Sequence, residues 1–181
     1  MSRIAIPSRE NAPAAAQPLL DAVEKQLGVV PNLFRLLALS PNILQGALGL
    51  SGATAKALDV KTRERIAIAV AQVNGCDYCL SAHTYLGLNL AKIDDAEIAL
   101  NRRGASADPK AHAAVRFAAK VAETRGKVAD ADLKAVRDAG FTDAQIVEIV
   151  GLVTENVLTN FVNNVAQTDI DFPVVRAAEP A

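Results

Sequence analysis

Residues 74–83 read NGCDYCLSAH, and this stretch holds both cysteines of the chain and one of its two histidines. Its first two residues decide how the surrounding sequence folds. Asn-Gly is a strong helix stop, because both residues tolerate the left-handed conformation that ends a helix. Before it, Ile66, Ala69, Val70 and Val73 recur at helical spacing within Thr62–Val73. After it, a new helix begins near Cys76 and runs to Leu86, with Gly87 as its expected end. The stretch therefore reads as the corner of a helical hairpin.

The helical period continues outward in both directions. Pro18–Leu27 reads as a first helix closed by Gly28, and Asn32 as the cap of a short one reaching Leu39. Ser40-Pro41 opens a helix to about Lys56, since proline suits the first turn. Asp94 or Asp95 caps a short helix, and Asp108-Pro109 starts another that ends near Thr124. Asp130 is read as a cap for a helix ending at Gly140. Thr142 and Gln145 have the spacing of a capping box before a long helix towards Val165. The tail DIDFPVVRAAEPA, residues 169–181, is extended or frayed. No strand alternation persists and no βαβ unit is visible, so the fold class is all-α, with roughly eight helices.

Composition agrees. A chain of 181 residues is one domain by size and buries enough surface to fold without disulfides or metal. Hydrophobic residues are 51% and aromatics only 4%, which favours closely packed helices. The apolar excess is also consistent with an oligomer that buries subunit surface. The expected organisation is a single domain, 1–181, with a motif core at 62–87. Helices in 13–57 and the tail 166–181 would serve as packing or oligomer arms.

Net charge is −1, from 19 basic and 20 acidic residues, with no basic patch of the kind that binds nucleic acid. The N-terminus has no apolar signal region. The most apolar stretch, 146–165, carries Glu148, Glu155, Asn156 and Asn160, which a bilayer would penalise. The expectation is a cytoplasmic protein without nucleic-acid or membrane partners. In that compartment two close thiols point to catalysis or metal rather than a structural disulfide.

Two cysteines at C-x-x-C spacing on the first turn of a helix come within disulfide reach. Free amides and the positive end of the helix dipole favour thiolate there, while Asp77 between them works the other way. His83 lies four residues after Cys79, one turn along the same face, where its imidazole can take the thiol proton. If the two helices fold back about Gly75, Glu64 lies eleven residues before the corner and His83 eight after. The mismatch is about three residues, or ~4.5 Å of rise, which a Glu side chain covers with or without one water. Glu64 can then orient His83 and stabilise its charge.

Other readings stand beside this one. The cysteines can be two small buried residues, and Glu64 can serve only the helix dipole. Cys76, Cys79 and His83, with Glu64 or His112, could supply metal ligands, but the second knuckle of structural zinc sites is missing. Covalent haem requires histidine directly after the second cysteine, where Leu80 stands. Tyr78 and Tyr85 can line a pocket or simply pack. Asn156, Asn160, Asn163 and Asn164 have helical spacing and suit either a subunit interface or a solvated face.

The pattern E-x11-C-x-x-C-x-x-x-H, here Glu64, Cys76, Cys79 and His83, resembles the AhpD-like alkylhydroperoxidases of the carboxymuconolactone decarboxylase superfamily. RERIAIAVAQVNGCDYCLSAH, residues 63–83, matches that core, and ENVLTNFVNNVAQTDIDFP, residues 155–173, looks like the tail of its peroxidase-related branch. The resemblance implies an AhpD-like helical bundle assembled into trimers or hexamers. It also implies a thiol-dependent peroxidase acting on hydrogen peroxide or small alkyl hydroperoxides. Cys79 would be the peroxidatic thiolate, Cys76 the resolving thiol, His83 the base and Glu64 the proton relay. No haem, flavin or metal is implied, and the reductant would be a dithiol or a lipoyl-bearing protein. Tyr78 stands where the family's best-known member has a second histidine. The superfamily name implies a second chemistry, decarboxylation of a carboxylated lactone, which has no use for paired thiols. A third expectation is a redox sensor without enzymatic activity.

Overall fold

The computed structural model describes residues 2–177, and among these every regular element is helical. The described residues form nine helices: α1 (Gln17–Leu27), α2 (Asn32–Leu37), α3 (Pro41–Thr54), α4 (Val60–Val73), α5 (Asp77–Asn89), α6 (Asp95–Asn101), α7 (Pro109–Thr124), α8 (Asp130–Asp138) and α9 (Asp143–Ala166). The all-α reading holds, with one helix more than the rough count. None of these helices is long and apolar enough to cross a membrane.

α4 is the central element, and its sequence explains why. Residues 66–71, IAIAVA, are buried all round the helix. A helix apolar on every side must be enclosed by others. Ile68 and Ala71 join one core, with Leu20, Leu44, Leu80 and Ile98. Ile66, Ala69 and Val70 join a second, with Val115, Phe117, Val136, Ile149 and Val153. Each fully buried Ile or Leu contributes about 1.5–3 kcal/mol. α4 is thus fixed from both sides, and whatever it carries near its start is held rigidly.

Several helix ends differ from the sequence reading for identifiable reasons. α4 starts at Val60 rather than Thr62, because Asp59 is its cap and accepts from Thr62 N at 3.1 Å. Asn32 is already helical, with Pro31 before it as the cap residue. Asp130 is likewise inside α8, where Asp132 reaches back to Ala129 N at 3.1 Å. α3 stops at Thr54, whose hydroxyl turns back to its own helix and to Glu155. Gly87 does not end α5, which continues to Asn89. A Cβ there would meet Ile68, Ile98 and Ile93 at 3.5–3.8 Å, ordinary contact, so this is a helix-interior position that an alanine would also fit.

The corner between α4 and α5 is built as read. Gly75 has φ +61°, and Cys76 N bonds back to Ala71 O at 2.9 Å. That bond closes the last turn of α4. α9 secures the corner from outside: Asn74 donates to Asn160 Oδ1 at 2.8 Å, and Asn164 donates to Asn74 O at 2.9 Å. The tail is extended and anchored over its described part. Val175 N donates to Ser81 Oγ at 2.9 Å, and Ala177 N donates to Asp77 Oδ1 at 2.8 Å. The remainder of the tail reading, residues 178–181, lies outside the described residues.

Candidate active site

Both cysteines are free thiols beside the α4–α5 corner. Cys76 is the residue before the helix, with extended backbone, and its sulfur accepts from Cys79 N at 3.4 Å. It therefore occupies the capping position that Ser or Asp usually fills. Cys79 sits on the first turn of α5, where the helix dipole favours an anion. Their exposures are 0% and 2%, so neither thiol faces open solvent.

Asp77 does not oppose the thiolate as its sequence position suggested. Its carboxylate turns outward to Arg176 at 2.7 Å and to the tail backbone. The tail thus supplies the counter-charge that the stretch itself lacks.

His83 and Glu64 meet directly: His83 Nδ1 lies 2.8 Å from Glu64 Oε2. The hairpin brings them together without an intervening water. With Nδ1 committed to the carboxylate, Nε2 is the nitrogen left for chemistry. Burial pulls the imidazolium pKa down, but the charge and hydrogen bond of Glu64, with smaller contributions from Cys79 and Glu155, raise it overall.

The sulfurs are strongly differentiated. Cys79 is lowered to about 6, first by the hydrogen bond from Cys76, against burial, and then by His83 and the amides of Asn163 and Asn160. Cys76 moves up, because it donates to Cys79, is buried and faces the neighbouring negative charge. At neutral pH this leaves a thiolate on Cys79 and a thiol on Cys76. Low pKa with a thiol partner is the electronic signature of a reactive cysteine.

Sequence reasoning missed the contribution of α9. Asn163 donates from Nδ2 to Cys79 Sγ at 3.3 Å, and Thr159 Oγ1 lies 4.0 Å from the same sulfur. Asn156, Asn160 and Asn163 are buried inside the chain rather than solvated. Glu155, one turn before Thr159, accepts from Thr54 and adds its charge to the field at His83. The register is antiparallel. Stepping from Cys79 to His83 along α5 corresponds to stepping from Asn163 and Thr159 back to Glu155 along α9.

The other sequence candidates take structural places. Tyr78 accepts from Leu33 N at 3.1 Å and meets Phe172 edge-on, with centroids 5.9 Å apart. Burial pushes its phenol well above the usual value. Tyr85 packs on the same Phe172 ring at 6.0 Å. His112 accepts from Ser106 N at 3.3 Å, remote in sequence and in bonding from the thiols. Among the described residues no three His, Cys, Asp or Glu side chains are arranged to hold a metal ion.

Comparison with known proteins gives a consistent picture. The model of the carboxymuconolactone decarboxylase family matches residues 41–124. An uncharacterized protein of Haemophilus influenzae is 51% identical over 45 residues, which are 24% of this chain and 40% of that protein. The chain therefore spans well under half of that relative's length. The solved structure of an alkylhydroperoxidase AhpD core, an uncharacterized peroxidase-related protein from Ralstonia eutropha JMP134, superposes with TM-score 0.82. It is 27% identical, with 94% of this chain and 92% of that one covered. The fold alone is shared with a peroxidase-related protein from Silicibacter sp. TM1040 (24% identity, 93% and 91% covered, TM-score 0.79). The same holds for the debrominase Bmp8 in complex with 2,3,4-tribromopyrrole (16% identity, 94% of each chain, TM-score 0.79).

Proposed function

The chain belongs to the AhpD-like carboxymuconolactone decarboxylase superfamily, and from that premise we propose that it is a thiol-dependent peroxidase working through Cys79 and Cys76. The observation that carries the reading is the set of groups around one buried sulfur. Cys79 receives Asn163, Cys76 and the field of an imidazole that Glu64 holds at 2.8 Å.

In the proposed first step the Cys79 thiolate attacks the terminal oxygen of a hydroperoxide. The S–O bond forms, the O–O bond breaks, and the leaving alkoxide or hydroxide takes the proton of the His83 imidazolium. Cys79 becomes a sulfenic acid. In the second step the Cys76 sulfur attacks that sulfenic sulfur, water leaves, and the Cys76–Cys79 disulfide remains. A dithiol, free or on a lipoyl-bearing protein, then returns both thiols to the reduced state by exchange and is itself oxidised to a disulfide. Glu64 orients His83 throughout and favours its charged form before the attack; His83 is neutral after the first step and regains its proton when the dithiol restores the Cys79 thiolate. Tyr78 is given no role in the relay: its hydroxyl accepts from Leu33 N, faces Asp171 and is held neutral by burial.

We assign the protein a homo-oligomeric state and a cytoplasmic location on the same reading. Consumption of hydrogen peroxide with dihydrolipoamide as reductant tests it. Many turnovers per protein are expected. A single equivalent consumed, followed by arrest with a reducible disulfide, would point instead to a disulfide oxidoreductase or sensor.

A further inference from the structure

A cavity of about 540 Å³ lies beside the α4–α5 corner, between the start of α5, the end of α9 and the tail. Its wall is mostly polar: Asn163 and Asn164 at the end of α9, Gln167, Thr168 and Asp169 just after it, and Asp77 and Arg176. The last two neutralise each other as an ion pair at 2.7 Å.

Asn163 links this cavity to the thiol. It lines the cavity, and its Nδ2 donates to Cys79 Sγ at 3.3 Å. Cys79 itself is not part of the wall. Asn163 is only 2% exposed, yet its Oδ1 has no hydrogen-bond partner among the described residues. Thr168, 6% exposed and on the same wall, also leaves its Oγ1 unpartnered. Buried polar atoms are nearly always satisfied, so two orphans on one wall beside a reactive sulfur call for a ligand.

We propose that this cavity is the route by which a small hydrophilic hydroperoxide reaches Cys79, and that Asn163 is the residue that reads it. The inference rests on the peroxidase reading above and names the route and the residue by which its substrate reaches the sulfur. A hydroperoxide carries one O–H donor at the oxygen that is attacked. Asn163 Oδ1 accepts that hydrogen while Nδ2 stays on the sulfur, so a single amide holds nucleophile and electrophile together. When the thiolate attacks, the S–O bond forms and the O–O bond breaks. The alkoxide leaves towards the His83 proton, and the O–H held by Asn163 becomes that of the sulfenic acid. The polar wall suits hydrogen peroxide and compact alkyl hydroperoxides and disfavours bulky aromatic or lipid ones.

The test is the single-turnover rate of Cys79 oxidation by hydrogen peroxide, tert-butyl hydroperoxide and cumene hydroperoxide. It is measured in the wild type, Asn163→Leu and Val174→Trp, with the thiolate titrated in each. Val174 is an exposed wall residue with no bond to the thiols, so Val174→Trp narrows the cavity and leaves the thiolate titration in place. The wild type should favour the two smaller peroxides. Val174→Trp should slow tert-butyl hydroperoxide by about tenfold, and Asn163→Leu should slow all three by about tenfold beyond the change in thiolate fraction. Wild-type rates in Val174→Trp would overturn the route. A loss in Asn163→Leu fully explained by thiolate fraction would overturn the role of Oδ1. If the wild type is not oxidised at all, the peroxidase reading fails and this proposal with it; oxidation of the wild type with unaltered variants defeats the proposal alone.

Discussion

Glu64 and His83 lie 19 positions apart in sequence and 2.8 Å apart in space, joined carboxylate to imidazole across the α4–α5 hairpin. Glu64 is on the helix with the most enclosed core, so its position is set by packing on both sides of α4. His83 is on the helix that carries the reactive sulfur. The pair therefore ties the imidazole whose charge acts on Cys79 to the rigid core.

Replacing Glu64 with Gln should keep the hydrogen bond and remove the charge. The His83 pKa then falls and the Cys79 pKa rises, because each ion stabilises the other. Peroxide reactivity at neutral pH should drop about a hundredfold, the size of a lost acid–base contribution. The 240 nm thiolate titration should move to higher pH in parallel. A variant with wild-type rate and titration would mean that Glu64 serves only the helix.

The pH profile follows from the two shifts. The Cys79 thiolate appears as pH rises through about 6, well below the ordinary thiol value of 9.0. His83 is held above its ordinary 6.5, so it stays charged through that interval and deprotonates later. Peroxide reduction should rise near pH 6, level off and decline as His83 loses its proton. Alkylation by iodoacetamide needs no acid and should rise at the same pH but not decline. One inflection near pH 9 in both profiles would contradict the assignment.

Cys76→Ser should react once and stop. Without the resolving thiol, Cys79 sulfenic acid should accumulate and be captured by dimedone, visible as one adduct by mass spectrometry. Steady turnover with a dithiol, indistinguishable from the wild type, would remove Cys76 from the mechanism. Serine keeps an O–H donor in place of the S–H, so the Cys79 thiolate should persist in this variant.

Gly87→Ala should stabilise the protein by up to about 1 kcal/mol, because alanine is the better residue inside a helix. The new methyl would sit at ordinary contact, 3.5 Å from Ile68 Cδ1. Equilibrium denaturation measures it. Destabilisation would mean that Ile68, Ile93 and Ile98 leave the methyl no room.

Most of the fold was legible because its signals are local. Caps, Asn-Gly and Pro at first turns place helices within a few residues, while the stripe Ile66, Ala69, Val70 and Val73 marked one face of a helix whose residues 66–71 are buried all round. Gly87 was misread because a glycine ends a helix through a positive φ, and Gly87, unlike Gly75, does not adopt one. Within the site, Cys76, Cys79, His83 and Glu64 share one hairpin, so sequence spacing could bring them together. Asn163 could not be assigned that way, since it reaches Cys79 across 84 positions. A trace of it was present: Ile146, Ile149, Val153, Asn156, Asn160 and Asn163 continue one buried stripe in which amides replace apolar residues. Amides on a core stripe need polar partners, and here α5 and the corner supply them.

The central claim, that Cys79 is the nucleophile, is tested most directly by the pre-steady-state reaction of Cys79→Ser with hydrogen peroxide beside the wild type. The account predicts a fast second-order oxidation in the wild type and none in the variant, although Cys76 is still present. Oxidation of the variant at the wild-type rate would contradict it and move the nucleophile to Cys76 or away from the thiols altogether.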